Sequence, residues 1–279
     1  MANLVGGGPS ALTLSRRLLV ITYLALLIIW PLGLVVLHTF DGGLTNLSAA
    51  LSNPDVVFAL KMSVYVAVWA VALNTIFGVG ISLLLVRQEF WGKRLLSLLI
   101  DLPLAVSPVV VGLALLLAYG GSGGLFGPAL EKLGFQVAFA APGMILATAF
   151  ISLPLVIREI VPVLQEIGTD QEQAARSLGA GSWQTFWRIT LPSIKWALVY
   201  GVVLSLARAL GEFGAVKIIS GNLIGQTQTA TLVVEQTYQD FEQGTAYATS
   251  FLLALIAVAA LVVVAILRPN HTLDREENQ

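Results

Sequence analysis

The sequence predicts an all-α integral membrane protein with six transmembrane helices. Three observations carry this. Of 279 residues, 57% are hydrophobic and only 11% charged, whereas a soluble domain carries about 25% charged residues. Six stretches, 18–40, 60–86, 95–119, 138–161, 195–219 and 247–267, reach the roughly 20 mostly apolar residues that a membrane helix requires. Lys and Arg collect in the loops on one side of those stretches.

The same composition excludes other classes. A net charge of −1 argues against a nucleic-acid binder, which needs a basic surface. With no cysteine there is no disulfide, thiolate metal site or cysteine nucleophile. His38 and His271 stand near opposite ends of the chain without a second ligand beside either, which leaves no zinc site.

The elements follow in order. Residues 1–16, with Gly6-Gly7-Gly8-Pro9, read as a flexible tail, and 17–40 as the first span. Arg16-Arg17 before Leu18-Leu19 resembles a twin-arginine signal. The apolar run is too long for a signal core and lacks an Ala-x-Ala-like end, so a retained helix is expected. Residues 58–267 then form a core of five spans that includes a polar loop over 165–192, and 268–279 form a solvated tail.

Orientation follows from the basic residues, which mark the cytoplasmic side. Arg16, Arg17, Arg87, Lys93, Arg94, Arg158, Arg176, Arg188, Lys195, Arg268 and Arg275 fall on one side. Only Lys132 is clear on the other, with Lys217 borderline. Six spans then place both termini and the 158–195 loop in the cytoplasm, and the 217–246 loop outside.

Pro31, Pro103, Pro108, Pro142 and Pro154 lie within the apolar stretches. Each removes a backbone donor and kinks or interrupts a helix. Broken helices survive in a membrane where protein or a water-filled cavity satisfies the backbone, so five prolines fit a conduit better than an anchor. No inverted internal repeat is visible, which counts against a secondary transporter folded from one chain.

Two segments carry candidate function. In the polar loop, Thr169-x-x-Glu172 has the form of a capping box, which starts a helix near Asp170. Gln171, Ala174, Ala175 and Leu178 then share one face. Gly179 is placed to end that helix in the left-handed conformation. A second short helix from Ser182 presents Trp183, Phe186 and Trp187, and Pro192 suits the first turn of the following span. An interfacial amphipathic helix with its aromatics in the headgroups is the weaker alternative for the aromatics and does not explain the rest of the spacing.

In the fifth span, Arg208 and Glu212 stand four residues apart and can pair. Intramembrane charges are costly and usually paired or lining a polar path. Two readings stand open: an ion pair that locks helix packing, and an anion path at Arg208 that Glu212 holds or releases. Gly211, Gly214 and Ala215 permit close helix approach, and Ser220-Gly221-Asn222 forms a polar turn at the outer end. Lys61 reads as a snorkelling interfacial lysine, and Asp101 as solvated near the inner interface.

The loop resembles the "EAA" loop by which the membrane subunit of a bacterial ABC importer docks on its ATPase. The family spacing is Glu-Ala-Ala, three residues, Gly, nine residues, Ile-x-Leu-Pro. It is met by Ala174, Ala175, Gly179, Ile189, Leu191 and Pro192, with Gln173 where the family has Glu. Arg208-Ala-Leu-Gly-Glu-Phe-Gly-Ala and Ser220-Gly-Asn resemble the oxyanion branch of these permeases. Leu102-Pro-Leu-Ala-Val-Ser-Pro-Val-Val-Val-Gly112, Ala141–Thr148, Arg158-Glu159 and Leu191–Gly201 resemble W-type subunits of sulfate/thiosulfate permeases.

The resemblance implies an ABC importer type I (MetI-like) permease fold with cytoplasmic coupling helices. It implies ATPase coupling through Gln173, Ala174, Ala175, Leu178, Gly179, Phe186, Leu191 and Pro192, and a translocation path past Arg208, Glu212, Ser220 and Asn222. Its implied partners are a T-type permease subunit, two cytoplasmic ATPases and a periplasmic sulfate-binding protein. No phosphate loop of the Gly-x-x-x-x-Gly-Lys-Ser/Thr type is present. The chain is therefore expected to bind no cofactor and to perform no catalysis, with Mg-ATP used by the partner subunits. A molybdate or tungstate permease is the nearest alternative, and a secondary anion transporter or a non-transporting scaffold are more distant ones.

Overall fold

The computed structural model describes residues 11–121 and 123–267, with side chains described within 15–262. Residues 1–10 of the expected 1–16 tail and the whole 268–279 tail, with Arg268, His271 and Arg275, lie outside the described residues. Every regular element among the described residues is helical.

The first apolar stretch forms α1 (Ala11–Leu24), a five-residue π-turn (Ala25–Ile29) and α2 (Trp30–Thr39). The chain is thus already helical at Ala11, ahead of the expected start at 17. Pro31 lies inside this continuous helical run, where it has no amide to donate back to the preceding turn, and the π-turn occupies the residues just before it. Short α3 (Thr45–Ser52) leads to α4 (Pro54–Arg87), 34 residues long. Asn53 starts α4 by accepting a bond from the Asp55 amide at 2.9 Å, a side-chain cap on otherwise orphaned donors.

The third stretch is not one straight helix. α5 (Lys93–Ala105) and α6 (Pro108–Tyr119) meet at an angle of 114°. Val106 and Ser107 are extended, with ψ of 138° and 134°. The residue before a proline is pushed out of the helical region, and Pro108 then opens a new helix.

A short α7 (Gly127–Lys132) precedes α8 (Ala141–Ile167). Pro142 begins α8 rather than interrupting it, and the helix continues through Pro154 and Pro162. Next come α9 (Asp170–Ser177), α10 (Ser182–Thr185), a π-turn (Phe186–Thr190) and α11 (Leu191–Leu210).

The fifth expected span, 195–219, also divides. α11 ends at Leu210, and α12 (Gly214–Ser220) is a separate helix. Glycine at 211 and 214 weakens the helix between them. Glu212 offers its carboxylate to the Ala215 amide at 3.0 Å, and Thr231 donates to the Glu212 carbonyl at 2.9 Å. These side chains take the place of helical bonds. α13 (Ala230–Gln239) and α14 (Gln243–Leu267) complete the chain. Among the described residues, five helices are long and apolar enough to cross a membrane, and the bent α5–α6 pair makes a sixth crossing if counted as one.

The core is the contact of α4, α8 and α11. A Cβ at Gly78 would stand 2.8 Å from Val156 Cγ1, and one at Gly201 would stand 3.0 Å from Val156 Cα. Val156 of α8 is thus gripped between a glycine of α4 and a glycine of α11. Lipid supplies no hydrophobic drive between helices, so small residues that admit close packing hold such cores. One turn away on all three helices, buried Asn74 donates to Ser152 Oγ at 2.8 Å and to Ser205 Oγ at 3.3 Å.

α12 lies against α6 and α8. A Cβ at Gly112 would fall 2.6 Å from the Ala215 carbonyl oxygen, and one at Gly214 would fall 3.0 Å from Pro108 Cβ. Gly214 and Ala215 therefore serve close approach as expected. Gly211 does not, since only the Ala207 and Arg208 carbonyls of the preceding turn, at 3.9 Å, lie near its missing Cβ.

Candidate functional site

The C-terminal ends of α4 and α8 and the start of α11 meet at one end of the core, and the 165–192 loop folds over that end. Its first helix, α9, begins after Thr169, but not as a capping box. Thr169 makes no cap bond. Its Oγ1 accepts from Gln173 Nε2 at 2.8 Å.

Glu172 is engaged elsewhere. Its Oε1 accepts from Arg87 Nη2 at 3.1 Å, from Arg87 Nε at 3.3 Å and from Thr190 Oγ1 at 2.9 Å. Both charged side chains are largely buried, at 15% exposure for Arg87 and 12% for Glu172. A carboxylate given two charged donors and a hydroxyl has no reason to reach back to its own helix. This corrects the reading of Glu172 as a cap.

The loop then turns outward. Gly179 adopts φ +89° and closes α9 in the left-handed conformation expected of it. Its amide bonds the Arg176 carbonyl at 2.9 Å, and the Ala180 amide bonds the Ala175 carbonyl at 3.0 Å. Gln171, Gln173, Ala174 and Leu178 are exposed, Leu178 at 90%, and Ala175 is half-buried. Nothing stands within 4 Å of a Cβ built on Gly179.

In the second short helix, Trp183 and Trp187 are exposed but Phe186 is not presented with them. It packs with Leu191 against the cluster of Val79, Val156, Ile160, Leu164 and Ile194. The reason is periodicity: the Phe186–Thr190 π-turn turns Phe186 toward the core while leaving the two tryptophans outside. Pro192 is exposed in the first turn of α11.

The second candidate segment lies at the other end of α11. Arg208 Nη1 is 2.7 Å from Glu212 Oε2. No aligned hydrogen bond reaches that oxygen, so the contact is ionic rather than directional. The pair is uneven: the Glu212 side chain is 2% exposed and that of Arg208 38%. Arg208 borders a cavity of about 210 Å³ with Pro103, Pro108 and Ile151, beside the α5–α6 bend.

Ser220 is buried, and its Oγ accepts from the Asn222 amide at 3.1 Å. Asn222 sits at φ +51° with a buried side-chain oxygen that no donor reaches. The Ser220 carbonyl accepts from Thr227 Oγ1 at 2.7 Å. Thus Arg208 and Glu212 form one cluster, and Ser220 and Asn222 form a turn at the far end of α12. Lys217 pairs with Glu235 and lies over the Phe213 ring.

Two partners were not foreseen. Arg87 carried a signal, a lone basic residue closing a long apolar span, but served only to orient the chain. Asp101, expected to be simply solvated, pairs with Arg158 at 3.0 Å.

Residues 74–271 match the model of the family described as "Binding-protein-dependent transport system inner membrane component". The chain belongs to this family. Three relatives place this family member more narrowly. The "Sulfate transport system permease protein CysW" of Synechococcus elongatus is 47% identical over 88% of this chain and 85% of its own length. The protein of the same name in Escherichia coli is 41% identical over 88% of this chain and 84% of its own. The "Sulfate transport system permease protein CysT" of Escherichia coli is 36% identical over 86% of each chain. In fold, the family member matches a bacterial ABC transporter involved in the import of the acidic polysaccharide alginate, with TM-score 0.76 and 16% identity over 92% of this chain and 94% of that one. The chain is a multi-pass membrane protein of the ABC importer permease fold.

Proposed function

We propose that this chain is the W-type permease subunit of an ATP-driven importer of sulfate and thiosulfate. The observation that carries this reading is the 41–47% identity, over most of both chains, to proteins named as sulfate transport permeases. The exposed face of α9, closed by Gly179 and continued to Leu191-Pro192, supports it independently. It presents small side chains and an open backbone turn to a protein surface that the chain itself does not supply.

In this reading the basic side faces the cytoplasm and both termini lie there. A T-type subunit forms the other half of the path. Two ATPases bind Mg-ATP and grip the two docking loops, and a periplasmic binding protein delivers the anion. Gln173, Ala174, Ala175, Leu178 and Gly179 touch the ATPase. Phe186 and Leu191 back the loop from inside, and Pro192 sets the angle at which it enters α11.

Closure of the ATPases moves the loop, and the core helices with it, from inward-open to outward-open. The dianion then passes Arg208. That guanidinium faces a cavity while Glu212 cancels much of its charge, so it attracts an anion without trapping one. Ser220 and Asn222 shape the outer turn. The chain performs no covalent step.

The test is labelled-sulfate uptake in cells lacking the chain and in cells with it restored, with ATP depletion and excess molybdate as challenges. Uptake that returns with the chain, stops on ATP depletion and resists molybdate supports the proposal. Block by low molybdate moves the substrate to a metal oxyanion, and indifference to ATP removes ATP coupling altogether.

A further inference from the structure

α9 is held to the rest of the molecule in an unusual way. Apart from the Glu172 side chain, which the polar cluster encloses, its residues are exposed or half-buried. Beneath it lies a cavity of about 350 Å³ bordered by Gly80, Arg87, Arg176 and Phe186. Apolar packing therefore does little to fix the docking helix, and a polar cluster takes that role.

Arg87 is the last residue of α4. Its Nη1 donates to the Leu164 carbonyl at 3.1 Å and its Nη2 to the Gly168 carbonyl at 2.7 Å. It thereby closes the C-terminal end of α8, where orphan carbonyls and the helix dipole both favour a cation. Its Nη2 and Nε reach Glu172 in the first turn of α9, and the same carboxylate oxygen accepts from Thr190, the residue immediately before α11. One guanidinium and one carboxylate thus join α4, α8, α9 and the start of α11. Those include all three helices of the core.

We propose that Arg87, Glu172 and Thr190 form the strut through which movement of the docking helix reaches the core helices. They act as positioning residues, and the inference rests on the reading of α9 as the ATPase-docking element. A planar guanidinium with fixed donors is suited to such a strut, because it holds direction as well as distance. A load on α9 is delivered to α4, α8 and α11 together instead of being absorbed over the cavity. The pair also supplies, one residue before Gln173, the fixed carboxylate that Gln173 itself lacks.

The experiment uses the whole complex in vesicles with loaded binding protein. Arg87→Ala, Glu172→Ala, Thr190→Val and Arg87→Lys are compared for assembled complex, ATP hydrolysis and anion uptake per ATP. In parallel, Leu178→Cys in this cysteine-free chain is linked to lysines of the ATPase by a thiol–amine reagent, with and without each variant. The proposal expects linking and hydrolysis to persist in every variant. Uptake per ATP should fall by at least about tenfold in the two alanine variants, the factor that one lost charge-assisted hydrogen bond supplies. It should fall less in Thr190→Val and be partly restored in Arg87→Lys.

Unchanged uptake per ATP in an assembled Arg87→Ala complex overturns the strut. So does failure of all four variants to assemble, which would make the cluster an assembly element. Absence of linking in the otherwise unaltered chain would instead overturn the docking reading beneath it.

Discussion

The uneven burial of the Arg208–Glu212 pair gives an ordering that a symmetric ion pair would not. Glu212 is enclosed, at 2% side-chain exposure, whereas Arg208 retains 38%. Removing the arginine leaves a buried carboxylate alone. Breaking a buried pair in this way costs about 3–5 kcal/mol; the Ala215 amide still bonds the carboxylate, which sets the cost near the lower end, about 3 kcal/mol. Removing the glutamate leaves an arginine that is only partly enclosed and opens on the cavity beside the α5–α6 bend. The charge term is then at most about 1 kcal/mol, the scale of an exposed pair, and loss of the helix cap adds about 1 kcal/mol.

Glu212→Gln keeps an acceptor for Ala215 and loses only the charge term, about 1 kcal/mol. The expected order of damage is therefore Arg208→Ala, then Glu212→Ala, then Glu212→Gln. At roughly 2–4 °C per kcal/mol for a chain of this size, the falls in melting temperature are about 6–12, 4–8 and 2–4 °C. The Arg208→Ala/Glu212→Ala double variant should be more stable than Arg208→Ala alone. Thermal unfolding of the solubilised complex, followed by intrinsic fluorescence, reads all four. If Glu212→Ala is more damaging than Arg208→Ala, the argument from burial is wrong. Uptake measured on the stable Glu212→Gln complex separates the two roles of the pair: a packing lock predicts normal transport, and a gate predicts altered transport at full assembly.

Other substitutions bear on the remaining geometry. Gly112→Ala should destabilise by about 1–3 kcal/mol through overpacking, since its Cβ would meet the Ala215 backbone at 2.6 Å and α6 would have to move from α12; unfolding temperature checks this. Asn74→Leu removes two interhelical bonds and should cost about 1.2 kcal/mol at the mean of about 0.6 kcal/mol per bond in membranes, leaving uptake nearly intact, as a melt and an uptake assay would show. Gly179→Asp should uncouple ATP hydrolysis from uptake while membrane insertion stays normal. Its side chain enters open space at φ +89°, and Gly179→Ala, which carries at least as large a backbone cost but no charge, should be milder in its effect on coupling.

Spans were legible where hydropathy and length were the only determinants, as for 60–86, which lies within α4, and 138–161, which coincides with α8 from Ala141 onward. Sequence reasoning overran at 95–119 and 195–219 because an apolar average does not register a change of backbone direction. The break after Ala105 depends on the residue before Pro108. The break after Leu210 depends on Glu212 and Thr231 capturing backbone groups. Pro108 gave a local warning. Thr231 gave none, since it lies 19 residues from Glu212 in sequence.

The docking loop shows the same limit at a finer scale. Ala174, Ala175 and Gly179 were readable because their spacing, small size and left-handed turn are local properties. Glu172 was misread because a capping box is also a local pattern, and Thr169-x-x-Glu172 satisfies it in sequence. What decided the matter was Arg87, 85 residues away, already bound to the α8 carbonyls and able to offer two charged donors. A cap offers Glu172 one neutral amide, and charge-assisted bonds are roughly twice as strong. A helix-start glutamate in a membrane protein therefore has to be weighed against any arginine that ends a preceding span on the same side.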